Sequence, residues 1–310
     1  MDTQSRVKNL AKKFKSIVLW GCKNNTDSTY RHIHRHLYTI LKKLDVPTLW
    51  CEDEFQNNKL VPSGSLVILH NLTCQFVDYK KDNYYVGVNN AKGQLNDVEN
   101  KQFLNMRVYG EEKIGLNHVE WYPTVLFDKN DHMLHQTWAT NLLPNEFLAP
   151  VFNDTKNVWW IGSIWNDINN AGNVVNINYL KRALIKNGLN FIHRIDITDD
   201  ENIAFIRESR IAPAIGGPIQ VTNNMIPCRL WKNISYGQLG ITNLSKSLDI
   251  FNSNIIFNTK IDILIGLALS IQRKEYIDIT KYQQDIVSKN HTYLNWFLNI
   301  FRAFDELGSR

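Results

Sequence analysis

The chain has 310 residues, 44% of them hydrophobic and 21% charged, which excludes wholesale disorder and leaves room for more than one core. Its net charge of +5 is a mild excess, suited to a diphosphate or an anionic surface and too small to mark a nucleic-acid protein. Cys22, Cys51, Cys74 and Cys228 stand far apart with no C-x-x-C and no histidine pair at zinc spacing, so neither a disulfide framework nor a metal site is indicated and reduced thiols in the cytoplasm are expected.

Two α/β domains of about 150 residues each are the expectation from length. The basic segment Arg6 to Lys15 reads as a solvated N-terminal helix or as an amphipathic helix in peripheral contact with a membrane. No signal peptide is expected, because the apolar run 16–22 is short, and the run 261–271 falls below the roughly 20 residues that span a bilayer. The run 16–22 instead has the continuous apolar character of a strand buried in a parallel sheet. A helix from Thr29 to Leu44 follows, with Ile33, Leu37, Ile40, Leu41 and Leu44 on one face and Asp27 or Ser28 as caps. Further strands are predicted at 48–51, 65–69 and 84–88, ending in Glu52-Asp53-Glu54, His70-Asn71 and Asn89-Asn90. Ligands of such a sheet gather beyond the carboxyl ends of its strands, which singles out Asp27, Asp53 and His70. His32 and His36 share a helical face with no acidic third ligand, so a solvated basic face is expected there.

Residues 115–127 read as one more strand and loop, and Pro144 and Pro150 bracket a domain boundary. After it the pattern restarts. A strand over 157–164 runs into Gly162-Ser163, a helix covers 178–187 with Gly188 as its stop, and a strand at 191–193 precedes a short helix at 201–209. The stretch 211–243 is the most informative. A small apolar strand leads into Gly216-Gly217-Pro218, and a helical pattern resumes at Pro227 and closes at Gly237 and Gly240. The loop and the helix start offer backbone N–H groups to an anion, with Arg229 and Lys232 within a turn; by spacing alone an ordinary connection with solvated basic residues is the better fit. A strand or loop at 255–257, helices at 262–271 and 277–288, and an aromatic helix at 291–304 complete the chain. That last helix, with Tyr293, Trp296, Phe297, Phe301 and Phe304, needs a large partner surface.

The stretch 211–243, with its small strand, glycine loop, Arg229 near a helix start and following strand, resembles the donor-binding segment of GT-B glycosyltransferases. The exostosin-like and fucosyltransferase-like enzymes acting on surface or capsule glycans are the nearest types. The run 138–144 (WATNLLP) and the loops after the first three strands are similar to that family as well. The resemblance implies an α/β fold of two Rossmann-like domains facing across a cleft. Residues 1–148 would form the acceptor-side domain, 149–289 the nucleotide-sugar domain, and 290–306 a helix crossing back to the N-terminal domain. It also implies a nucleotide-sugar donor and an oligosaccharide or glycoconjugate acceptor, with no metal and no nucleic acid. Gly162, Ser163, Pro227, Arg229, Lys232, Asn233 and Tyr236 would hold the donor, and Asp27, Asp53 or His70 would supply the base.

Physical reasons stand beside these assignments. A guanidinium bonds two phosphate oxygens at once, which makes Arg229 the first choice for stabilising a diphosphate leaving group. Asp27 could equally cap the helix after it, Glu52 and Asp53 could form a solvated turn, and a lone histidine such as His70 is commonly a satisfied buried one. No nucleophile elbow, Walker loop, G-x-G-x-x-G or H-E-x-x-H occurs, so hydrolase, kinase and dinucleotide dehydrogenase readings lack support. The other readings kept open are a nucleotide-sugar epimerase of the same fold, a non-catalytic carbohydrate-binding protein, and a peripheral scaffold held by Arg6 to Lys15.

Overall fold

The structure, a computed structural model, describes residues 2–24, 29–70, 76–89, 102–108, 118–166 and 172–308. Its first elements are α1 (Thr3–Ala11), β1 (Ile17–Trp20), α2 (Thr29–Lys43), β2 (Thr48–Cys51), β3 (Leu66–His70), β4 (Tyr84–Val88), β5 (Phe103–Arg107), β6 (Val119–Tyr122), β7 (Val125–Asp128) and β8 (Met133–Gln136). There follow β9 (Asn157–Ile161), α3 (Val174–Lys186), β10 (Asn190–Arg194), α4 (Asp199–Glu208), α5 (Pro218–Thr222), α6 (Cys228–Ser235), β11 (Ile241–Thr242) and α7 (Lys246–Ile250). The chain closes with β12 (Ile256–Phe257), α8 (Ile261–Ser270), α9 (Arg273–Asn290) and α10 (Tyr293–Glu306). The described residues fall into two compact units. The first takes the stretches up to Val108, from His118 to Gln136 and from Tyr293 onward, and the second takes Thr137–Thr292.

The first unit is built on an eight-stranded sheet of order β2-β1-β3-β4-β5-β8-β7-β6. The six strands from β2 to β8 run parallel, and β7 and β6 close the edge antiparallel. Residues 118–136 thus add a meander of strands where the sequence reading had a single strand and loop. β1 pairs Val18 with Leu49 on one side and Val67 on the other, and all four of its residues are buried, as an unbroken apolar run in a central parallel strand requires. Ile33, Leu37, Ile40, Leu41 and Leu44 of the α2 region are buried as the periodicity predicts.

α10 belongs to this unit. Its Tyr293, Trp296, Phe297, Phe301 and Phe304 are buried, it packs on β5 and β8, and Asn299 donates to Gln136 Oε1 at 3.0 Å. α1 packs on α10, with Val7, Ala11 and Phe14 buried and the Phe14 ring stacked 5.9 Å from that of Phe301. The apolar side that a membrane surface would need is therefore covered within the unit. Among the described residues no helix is long and apolar enough to cross a membrane. The expected solvated histidine face is also corrected. His36 is buried and His32 half-buried, and His34 between them is buried as well, because they flank the Ile33 and Leu37 stripe that faces inward.

In the second unit β10 and β9 are parallel, and so are β11 and β12. Residues 210–214 connect the pairs. Arg210 N–H donates to Asn157 of β9, and Ala214 bridges in parallel to Thr242 of β11. The spatial order is accordingly β10, β9, 210–214, β11, β12, a doubly wound arrangement in which only the middle segment lacks regular ladder bonds. Val158, Trp160, Ile177, Leu180, Leu184, Ile211, Ile241 and Leu264 meet in one core between the strands and α3 and α8. Leu180 and Leu184 are fully buried, which stabilises the unit by about 1.5–3 kcal/mol each. α3 begins at Val174, four residues before the sequence expectation, because Ile177 is one of its core positions. α4 begins at Asp199 under a capping box in which Thr198 and Glu201 bond reciprocally.

Candidate functional site

The strand order of the second unit reverses between β9 and residues 210–214, and the crevice beyond the carboxyl ends at such a point is where ligands of this architecture bind. Two loops meet there. The first leaves β9 at Gly162-Ser163 and reaches α3 through Asn173, whose side chain accepts from Trp165 N–H at 2.9 Å and donates to the Ser163 carbonyl at 3.1 Å. The second carries Gly216-Gly217. A Cβ on Gly217 would lie 2.5 Å from the Gly172 carbonyl oxygen, so only glycine lets the two loops approach this closely. The Gly216 peptide is held on both sides by Asn243, and Asn176 also donates to its carbonyl at 2.7 Å.

The loop N–H groups that the sequence assigned to an anion are engaged internally: Asn243 accepts from Gly216 and Gln220 from Gly217. The stretch splits into two helices, α5 starting directly after Gly217 and α6 after Pro227, which is the N-cap rather than the first helical residue. No side chain caps α6. Its uncapped N-terminus carries Arg229.

Arg229 is half-buried. Its guanidinium carbon lies 3.7 Å over the Trp160 ring, Nη1 donates to the Ile161 carbonyl, and Nη2 would be 3.1 Å from a Cβ placed on Gly162. Gly162 has φ +110°, a conformation that side-chain-bearing residues rarely adopt. Burial pulls the Arg229 pKa down to about 10, so the group stays cationic at neutral pH. Among the described residues no carboxylate pairs with it. The ring contributes about 0.5–2 kcal/mol and the carbonyl about 1.5–3 kcal/mol, set against a desolvation cost that the partial exposure of the side chain reduces.

The remaining residues singled out for the donor divide. Ser163 is exposed at the crevice beside Gly162, and Lys232 is half-buried one turn beyond Arg229. Asn233 and Tyr236 are buried elsewhere in the unit: Asn233 donates to the Ala212 carbonyl at 2.8 Å, and the Tyr236 hydroxyl donates to Asn141 Oδ1 at 2.6 Å within a cluster of Ile206 and Ala212. Their helical spacing placed them next to Arg229 in sequence, but the inward face of α6 holds them in structural bonds. Trp160, Asn173, Asn176 and Asn243 escaped the sequence reading. Trp160 could have been found from the alternation of β9, which buries it with Val158, whereas the asparagines act through partners at least eight residues away.

In the first unit Asp27 lies outside the described residues. Asp53 is half-buried two residues past β2. His70 ends β3 almost fully buried, with Nε2 2.8 Å from Cys22 Sγ and its ring stacked on Tyr30. Glu52, beside Asp53, accepts the Lys23 and Asn24 N–H groups of the loop after β1. Among the described residues no three His, Cys, Asp or Glu side chains form a cluster that could hold a metal ion.

No protein-family model and no curated protein sequence matches the chain. Solved structures do. The N-terminal domain of a Candida albicans trehalose-6-phosphate phosphatase matches with a TM-score of 0.53 at 9% identity, covering 94% of this chain and 96% of that one. A trehalose-6-phosphate structure from E. coli, bound with UDP-2-fluoro glucose, matches with a TM-score of 0.52 at 7% identity, covering 94% and 99%. At such identities the likeness is one of fold, and the fold is α/β of the GT-B type.

Proposed function

We propose that the chain is a GT-B-type glycosyltransferase that binds a nucleotide-sugar in its second unit and transfers the sugar to a hydroxyl of an oligosaccharide or glycoconjugate. The observation that carries this reading is Arg229, a half-buried cation stacked on Trp160 with no acidic partner among the described residues, at the uncapped start of α6 and beside the bare backbone of Gly162. The nucleotide-sugar analogue in the E. coli structure of the same fold supports it. In this reading Arg229 and the α6 N-terminus hold the diphosphate and stabilise its charge as the glycosidic bond breaks, the service a metal gives in other transferases. Gly162 leaves space for the phosphates and Ser163 offers a hydroxyl.

For a transfer that inverts the anomeric centre, Asp53 is the proposed base in the first unit, since His70 has its Nε2 against Cys22. A cytoplasmic location is proposed from the thiols of Cys22, Cys51 and Cys228.

The test is a thermal-shift and calorimetric panel of UDP, GDP, CDP and their sugars against the wild type and Arg229→Ala. A ligand at 100 times its Kd stabilises the native state by about 2.7 kcal/mol. Stabilisation by one nucleotide family, weakened in Arg229→Ala, is expected. No shift with any member sinks the proposal. Conversion of a donor to its epimer, or glycan binding indifferent to Arg229, would transfer the chain to the epimerase or the carbohydrate-binding reading.

A further inference from the structure

The parallel sheet of the first unit has its own switch point, where the chain passes from β2 on one side of β1 to β3 on the other. A thiol and an imidazole meet there. Cys22 follows β1 by two residues in a left-handed backbone conformation, φ 59°, that is uncommon outside glycine and frequent at functional sites. Its Sγ lies 2.8 Å from Nε2 of His70, the last residue of β3.

The imidazole is fixed from several sides. Its ring lies 4.1 Å from that of Tyr30 with 4° between the planes, and the Tyr30 hydroxyl accepts from Asn89 Nδ2 at 2.9 Å. Asn89 Oδ1 in turn accepts Val108 N–H at 3.0 Å, which ties the stack to the end of β5. His34 stands 6.3 Å from the His70 ring with Nδ1 3.2 Å from the Gly21 carbonyl oxygen, and burial holds it neutral. Lys23 and Asn24, directly after Cys22, are exposed, whereas Cys22 itself is buried at 6% exposure. The other described thiols differ. Cys51 is buried with its pKa raised to about 12, chiefly by desolvation, and half-buried Cys228 has no such imidazole contact.

We propose that Cys22 and His70 form a nucleophilic couple and that Cys22 is a modification site for small hydroperoxides. The thiol proton passes to His70 Nε2, and the thiolate attacks one peroxide oxygen. The S–O bond forms as the O–O bond breaks, and the departing oxygen takes the proton from the imidazolium and leaves as water or an alcohol. Sulfur is oxidised to a sulfenic acid and the peroxide is reduced. Cys22 and His70 both lie in the first unit.

The full-length chain is exposed to hydrogen peroxide with dimedone as a sulfenic-acid trap, and label at each cysteine is followed by peptide mass spectrometry. Cys22 should label at least ~10-fold faster than Cys228 in the folded protein, and His70→Asn should lower the Cys22 rate about 10-fold with the other cysteines unchanged. Labelling of Cys22 no faster than Cys228 overturns the proposal, and so does a wild-type Cys22 rate in a folded His70→Asn variant. Should that variant not fold, the Cys22 to Cys228 comparison in the native chain decides alone.

Discussion

The guanidinium of Arg229 lies 3.7 Å over the indole of Trp160, across which helix α6 and strand β9 meet at the carboxyl edge of their sheet. The contact has a simple consequence. The ring orients the cation without neutralising it, so its remaining N–H donors stay available to an anion.

Arg229→Ala should weaken nucleoside diphosphate binding by about 10- to 100-fold, the loss of one or two charge-assisted hydrogen bonds, and Arg229→Lys should recover only part of it because an ammonium lacks the planar fork. Calorimetric titration of wild type and both variants measures this. Equal affinity in all three would remove Arg229 from the site.

Gly162→Ala forces a side chain into φ +110° and toward the Arg229 guanidinium, while Gly217→Ala meets the backbone of Gly172. Each should destabilise the native state by about 1–3 kcal/mol. Gly162→Ala should also weaken diphosphate binding, because it displaces Arg229. Denaturant unfolding gives the first quantity and titration the second, and an unchanged midpoint for both variants would contradict the loop geometry.

Burial holds His34, His135 and His291 neutral, with pKa values pulled down to about 4, about 4 and about 3. Unfolded histidines protonate near 6.5. Above that pH neither state carries these protons and the stability is complete. As the pH falls toward about 4 the unfolded chain binds protons that the folded one refuses, so stability declines by on the order of 1–3 kcal/mol per histidine. Urea unfolding at pH 7.0 and 4.5 should show the loss, and His135→Gln should make it smaller. A pH-independent midpoint across this window would refute the burial of these rings.

Phe301 is fully buried in α10 against Phe14 and Phe297. Phe301→Ala should cost about 3–5 kcal/mol, the range for removing a large core aromatic. Thermal unfolding followed by near-ultraviolet circular dichroism would register it. A loss below 1 kcal/mol would mean that α10 is not part of the core of the first unit.

Much of the architecture was legible along the chain because it rests on local periodicity. The apolar runs at β1, β2, β3, β4 and β9 and the stripes of α2 and α10 are spaced as their burial demands. β5 and the meander from β6 to β8 were missed or merged, since strands of four or five residues carry too few alternations to stand out. Among the residues proposed for the donor, the positions of Gly162 and Ser163 at a glycine turn and of Arg229 at a helix start were readable in the sequence. Asn233 and Tyr236 were not distinguishable from them, because which face of α6 turns inward depends on Ala212 and Asn141, residues 21 and 95 positions away.

The sequence by itself determined that two α/β units recur along the chain, that the last helix must bury an aromatic face, and that a cation sits at a helix start. Each of these follows from forces acting between near neighbours. Only the tertiary structure decided that this cation lies on Trp160, that the Gly216 and Gly217 N–H groups are closed off by Asn243 and Gln220, and that His70 faces Cys22. Those pairings join residues 3 to 69 positions apart, and all but the Gly217–Gln220 cap depend on the order of parallel strands, which no local pattern encodes.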